Sequence, residues 1–336
     1  VAQAAPRPPA TLAELPRPVV VPSPAPQAPV AAQAPPPATP QAALSQMLPE
    51  AIARQDSVGP LLQSLATLVA KPATLPEPVL RTALAVLAQR IAATNGKVHP
   101  ADLERAVLRS RLGLEATLAR GEAPAPMDAK AGLLALRAGL AKWLGEAPPP
   151  VPQREAAPPP LKGLPLRAPD FNQPPLPDAP RDALRAVHGQ ADAAVSRLKL
   201  MQMASLPDPD PGRPPAPALR LELPLLIGHE LVMAQLPVSR AGTRREAERK
   251  RGWTMKFALN FSATGEVGAE VGLLGKAVNV ALWAAEPETA EAMQASLTEL
   301  AGALEAVELR PGYLRIRHGS PEPEKPASGQ LLDSTS

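Results

Sequence analysis

The residue types able to do chemistry are few in this chain, and their spacing serves little of it. "VGLLGKA", residues 271–277, is a near miss for a phosphate-binding loop. That loop needs a glycine five residues ahead of Gly275, where Glu270 stands, and Ser or Thr after Lys276, where Ala277 stands. A turn between strands is the better reading. Gly265, Gly268 and Gly272 also miss the dinucleotide fingerprint, and read as a turn and as places where strand backbones pack closely. His99, His188, His229 and His318 fall in four separate segments. None has a second histidine at i+3 or i+4, so no zinc site is predicted. His99 and His188 read as surface positions on helices, His229 and His318 as strand ends. No G-x-S-x-G elbow occurs. The acidic pairs Glu246/Glu248 and Asp208/Asp210 lie in loop or linker with nothing to enclose them, which argues against general acid–base work. These residues predict no catalytic, cofactor-binding or metal site, and no enzyme.

Charge is the next candidate. The net charge is +3 and the pI near 9.3, mild for this length. The dense basic run is Arg240, Arg244, Arg245, Arg249, Lys250 and Arg251, broken by Glu246 and Glu248. It reads as a solvated connecting loop or as an electrostatic contact for an acidic partner. Without interleaved aromatics or Gly-rich loops it is no nucleic-acid face. Cysteine is absent, so disulfides and thiolate metal sites are excluded. That suits a cytosolic protein, or one that crosses a secretion channel unfolded and uncrosslinked. No run of about 18 apolar residues exists, so membrane insertion is not expected. The N-terminal stretch lacks the charged-then-apolar design of a cleaved signal peptide, and it opens on Val1 rather than Met, so the true start can lie upstream.

The elements that must position any functional surface are unevenly spread. Of 336 residues 47 are proline, and they cluster. The clusters predict a disordered Pro/Ala-rich segment over 1–41, a Pro-rich linker over 147–180, a second linker over 206–217 and a disordered tail over 320–336. Between them, 42–146 shows helical periodicity and reads as a small all-α bundle. Its stripes are Leu61, Leu62, Leu65 and Leu68, then Val79, Leu80, Leu84, Leu87 and Ile91. A third helix runs from Pro100 towards Gly121, and a fourth from Asp128 as N-cap to Gly145 as stop. Residues 181–205 form one amphipathic helix, with Leu184, Val187, Ala191, Val195 and Leu198 seeking a partner surface.

Five of the seven aromatics, Trp253, Phe257, Phe261, Trp283 and Tyr313, fall late in the chain. Aromatics dominate core burial, so the best-specified core is expected in 218–319. There "LRLELPL" alternates, a second strand covers about 230–238, and Trp253 to Phe261 forms a period-two row paired as a hairpin with Val267 to Leu273. A third strand follows Gly275, Pro287 opens one long helix, and "GYLRIRH" closes the set. The fold class is an α+β C-terminal domain, an antiparallel or mixed sheet packed by one long helix. Its expected core is Trp253, Phe257, Val267, Val271, Val280, Leu282, Leu297, Leu300 and Leu304.

The order "LELPLLIG…LVMAQLPVSR", a charged loop, then "WTMKFALNF…GEVGAEVGLLGKAVNVALWAAEPETAEAMQASLTELAGALEAVELRPGYLRIR", resembles the C-terminal domain of the flagellar hook-length control protein family. "AVLRSRLGLEATLARG" is similar to helical segments of relatives that read closer to "SGLFLEA". The resemblance implies an exported molecular ruler that moves from the cytoplasm through the flagellar type III apparatus. Its C-terminal domain would contact the cytoplasmic domain of the export-gate switch protein, with hook subunits and hook cap as further partners, and a monomer is the expected state. Charge and position offer Arg244, Arg245, Arg249, Arg251, Arg315 and Arg317 as contact residues. Pro-rich stretches extend ~3.1 Å per residue and suit a spacer. Folded helices over 42–146 and 181–205 shorten that reach unless they unfold during export. The competing reading is a non-flagellar Pro-rich adaptor with a C-terminal interaction domain.

Overall fold

The computed structural model describes residues 40–71, 75–94, 96–109, 128–146, 157–160, 175–205, 218–241 and 252–319. The expected disordered ends, most of the two linkers, the second half of the third expected helix and the basic loop over 242–251 lie outside the described residues. In chain order the elements are α1 (Pro40–Arg54), α2 (Val58–Val69), α3 (Glu77–Leu87), β1 (Ile91–Ala93), α4 (Pro100–Arg109), α5 (Ala129–Leu144) and α6 (Pro180–Ala204). Then come β2 (Ala218–Ile227), β3 (Glu230–Ala241), β4 (Gly252–Phe261), β5 (Gly265–Leu274), β6 (Ala277–Ala284), α7 (Pro287–Ala295), α8 (Leu297–Ala306) and β7 (Arg310–His318).

Local chemistry sets the helix ends. The Asp128 carboxylate accepts from the Ala131 amide at 2.8 Å, satisfying one of the orphan donors of the first turn of α5. Gly145, with φ of 72°, ends that helix in the left-handed region. Ser57 caps α2 through the Gly59 amide. One core joins Leu61, Leu62 and Leu65 of α2, Val79, Ala83 and Val86 of α3, and Leu133, Leu136 and Leu140 of α5 to Leu184, Val187, Ala191 and Val195 of α6.

Two expectations for this half need correction. The α3 stripe does not continue to Ile91, because the helix ends at Leu87, and Leu84 is 48% exposed, because the buried face runs through Val79, Ala83, Val86 and Leu87 instead. Ile91 instead starts β1, a parallel partner of β2 in register with Leu225. The helix expected to be amphipathic over 181–205 is in fact the centre of the bundle. Ala183, Leu184, Val187, His188, Gly189, Ala191 and the run Ala193–Arg197 are all buried, because α1, α2 and α5 surround it.

The sheet has seven strands in the order of their sequence, β1 to β7. β2 through β6 form an antiparallel meander, and the two outer pairs, β1–β2 and β6–β7, are parallel. The Trp253–Phe261 row pairs with Val267–Leu273 as the alternation predicted, from Trp253↔Leu273 to Phe261↔Gly265. Gly265, at φ 71°, supplies the left-handed turn residue that this tight connection needs.

On one face of β2–β3, Leu221, Leu223, Leu225, Ala234 and Leu236 pack with Ile91 and Ala106 in a second core. On the other, Leu231 packs against the bundle core. The first sheet hairpin is therefore held between helices on both sides. Its alternation of Leu with Glu222 and Leu231 reflects two different partners.

The core expected for the C-terminal domain is corrected in part. Val280 is buried. Phe257, Val267, Val271, Leu282, Leu297, Leu300 and Leu304 are half-buried, and Trp253 is 40% exposed. The one long helix is two, α7 and α8, divided at Ser296, and neither has a buried residue. These helices contact β6 and β7, so they leave the β4–β5 end of the sheet open. The buried positions lie on both faces of the sheet, Ala258 with Trp283 on one and Ala269 and Ala284 with Val278 on the other. The Trp283 indole lies directly on Gly268, where an added Cβ would come within 2.2 Å of the ring.

Candidate interaction surface

β7 forms one outer edge of the sheet, and the sequence explains how it is set there. α8 ends at Ala306 with Val307 as its C-cap, and Glu308 takes a left-handed φ of 61° that turns the chain back. The Lys276 ammonium donates to the Glu308 carboxylate at 2.7 Å across this corner, and the Arg310 amide donates to the Lys276 carbonyl at 2.7 Å. An irregularity between Val278 and Val280 follows, where the Tyr313 amide donates to the Asn279 side-chain oxygen at 3.0 Å. From Leu314 to His318 the ladder with β6 is regular, Val280↔Leu314 through Ala284↔His318.

Side chains alternate along a strand, and here the alternation separates two chemistries. Leu314 and Ile316 are half-buried, towards α7 and α8, while Tyr313, Arg315 and Arg317 are exposed on the other face. The Arg315 guanidinium stacks over the Tyr313 ring, 4.6 Å from its centroid, which orients a cation that would otherwise swing freely. No carboxylate among the described residues pairs with Arg310, Arg315 or Arg317. The predicted contact residues Arg315 and Arg317 thus stand side by side on one edge. Arg244, Arg245, Arg249 and Arg251 lie outside the described residues. Neither Tyr313 nor Arg310 is among the contact residues expected from sequence, although an aromatic two residues before an Arg on an alternating strand is a legible signal for same-face stacking.

The histidines stay apart, and among the described residues no group of acidic and histidine side chains could hold a metal ion. His99, His229 and His318 are exposed. His188, expected at a helix surface, is fully buried, and neither ring nitrogen has a partner. Burial pushes its imidazole below the ordinary value, Asp192 pulls it back up and Arg137 adds to the depression. A small cleft lies between bundle and sheet, lined mainly by Val58, Leu62, Leu133, Met201, Leu221 and Leu223. Arg220 opens on it, its guanidinium pushed down by burial.

The polar centre of the fold adjoins that cleft. The Arg197 guanidinium donates through Nε to Glu222 Oε1 at 2.7 Å, and through Nη1 to Gln55 and the Pro158 carbonyl. Its side chain is 1% exposed and that of Glu222 4%. This cluster ties α6, the α1–α2 loop, residues 157–158 and β2 together. Among the described residues no helix is long and apolar enough to cross a membrane.

Residues 241–325 match the family described as flagellar hook-length control protein FliK. The match begins at the end of β3 and takes in β4 to β7 with α7 and α8, including the Tyr313–Arg317 surface. The resemblance drawn from sequence started one hairpin earlier, at 218. The β2–β3 hairpin before it packs into the cores of the helical half. No curated protein and no solved structure matches the chain.

Proposed function

We propose that this protein controls flagellar hook length: it is exported through the flagellar type III apparatus, and its C-terminal domain switches export from hook-type to filament-type subunits. The observation that carries the reading is the match of 241–325 to the hook-length control family, on a stretch that folds as one strand–helix unit. In this reading the protein makes and breaks no bond. It works by being threaded, sensed and bound, first in the cytoplasm and then outside, with the cytoplasmic domain of the export-gate switch protein as the contact that matters. Hook subunits and hook cap are met during passage.

Passage in an extended state requires the helical half to unfold. Its core is built of Leu, Ala and Val around a buried imidazole without partners, and each such unpartnered group costs about 1–3 kcal/mol. That composition favours a bundle that opens at modest cost.

Deleting residues 242–319 in the native host tests the proposal. This boundary keeps β2 and β3 with the helices they pack on, so the buried residues of both cores remain, and the second loses only the flanking Met255, Phe257 and Leu259 of β4. Overlong hooks without filaments are expected, scored by electron microscopy of isolated hook–basal bodies. Hooks of normal length carrying filaments would overturn the reading.

A further inference from the structure

We infer that the outer edge of β7 is a strand-addition site for an extended segment of a partner protein in which acidic and apolar residues alternate. This deepens the proposed function by naming how the C-terminal domain grips its partner, and it rests on that reading for the partner's identity.

The edge is chemically open. The Gly319 amide donates to the Ala284 carbonyl at 2.9 Å, facing β6. Main-chain groups alternate sides along a parallel strand, so Arg315 and Arg317 face β6 as well, and Leu314, Ile316 and His318 turn their N–H and C=O groups outward. Among the described residues no strand follows β7 in the sheet order. The opposite edge, β1, is three residues long and offers far less ladder.

Exposed edges are often blunted by cations, proline or bulges, and β7 carries all three. Here Pro311 and the irregularity opposite Asn279 disturb only its first third, while 314–318 stays regular. The cations then select rather than merely repel. A second copy of this chain would set Arg315 and Arg317 against like charges, which is unfavourable.

The two faces of the edge specify the ligand. A strand added beside Leu314–His318 places alternate side chains next to Tyr313, Arg315 and Arg317, where carboxylates find guanidinium groups that no carboxylate among the described residues pairs with. The intervening side chains fall next to Leu314 and Ile316 and the half-buried Leu297, Leu300 and Leu304 of α8, where only apolar groups avoid a desolvation cost. Main-chain bonds supply affinity and the alternating side chains supply selectivity, as in other β-augmentation complexes.

The test uses the full-length chain and two blocked peptides, Ac-Glu-Val-Glu-Val-Glu-Val-Glu-NH2 and its Lys/Val counterpart. The Glu/Val peptide is expected to bind, weakening with added salt, and to slow amide exchange at Leu314, Ile316 and His318. The Lys/Val peptide should not bind. His318→Pro removes an outward donor that the fold does not use, so it should leave the thermal midpoint unchanged and weaken binding by about tenfold. The double change Arg315→Glu with Arg317→Glu should reverse the peptide preference.

Equal binding of both peptides, or exchange slowed elsewhere than on β7, would overturn the inference. In cells, the same double Arg→Glu variant should give long hooks. If the peptides fail while deletion of 242–319 still gives overlong hooks, the edge site falls and the functional reading stands. Peptide binding with normal hooks in the deletion strain gives the reverse.

Discussion

His188 shows what a single residue can hide. Its helical spacing gave no warning of burial, because the surrounding "VHGQADAA" is small and polar enough to read as a surface. In the fold the imidazole is enclosed with both nitrogens unpartnered, near Asp192, which already accepts from Arg137 at 2.8 Å and from Arg54 at 3.4 Å. With its folded pKa depressed, the folded chain binds fewer protons at this site than the unfolded chain does. Stability is therefore full above the unfolded imidazole value of about 6.5 and is lost as pH falls through it towards the folded one. A falling thermal midpoint on going from about pH 7.5 to about pH 5.5 is expected. His188→Leu should flatten that slope and stabilise the chain by roughly 1 kcal/mol through loss of an unsatisfied buried group. The same slope in the variant would assign the acid sensitivity to other groups.

Among the elements, the strands of the C-terminal unit were legible because period-two alternation is a strong and local signal: β4, β5, β6 and β7 fall where the pattern put them. β1 was not legible. Three residues following a helical stripe carry no period of their own, and only the ladder to Leu225 makes Ile91–Ala93 a strand. The core was misjudged for a related reason. Aromatic size suggested Trp253 and Phe257 as its centre, but depth depends on which part of the sheet the helices cover. The Trp283 indole lies on Gly268, leaving no room there for a Cβ. Gly268→Val should force the indole off the sheet and cost about 1–3 kcal/mol, read from the urea midpoint. An unchanged midpoint would mean that the indole has an equally good resting place.

At the scale of the whole molecule, the compositional boundaries at 146, 180 and 217 suggested a bundle, a lone helix and a separate domain on tethers. The contacts join them differently. α6 completes the bundle, β1 and β2–β3 build a second core with α4, and Arg197 with Glu222 links the helices to the sheet. Removing one partner of a buried ion pair leaves an uncompensated charge, so Glu222→Ala should cost about 3–5 kcal/mol. The loss should shift the unfolding of single-Trp variants reporting from Trp143 in α5 and from Trp283 in β6 together. A shift at Trp143 alone would show that the bundle and the sheet unfold separately.

The sequence by itself determined the element types over most of the described residues, the α+β class and the resemblance of its C-terminal part, because periodicity, caps and turn residues act over a few neighbours. Only the tertiary structure decided that α6 is central, that His188 is enclosed, that Arg197 meets Glu222 and that Tyr313, Arg315 and Arg317 line an open edge. Those facts depend on contacts between residues far apart in the chain, whose free energy no local pattern records.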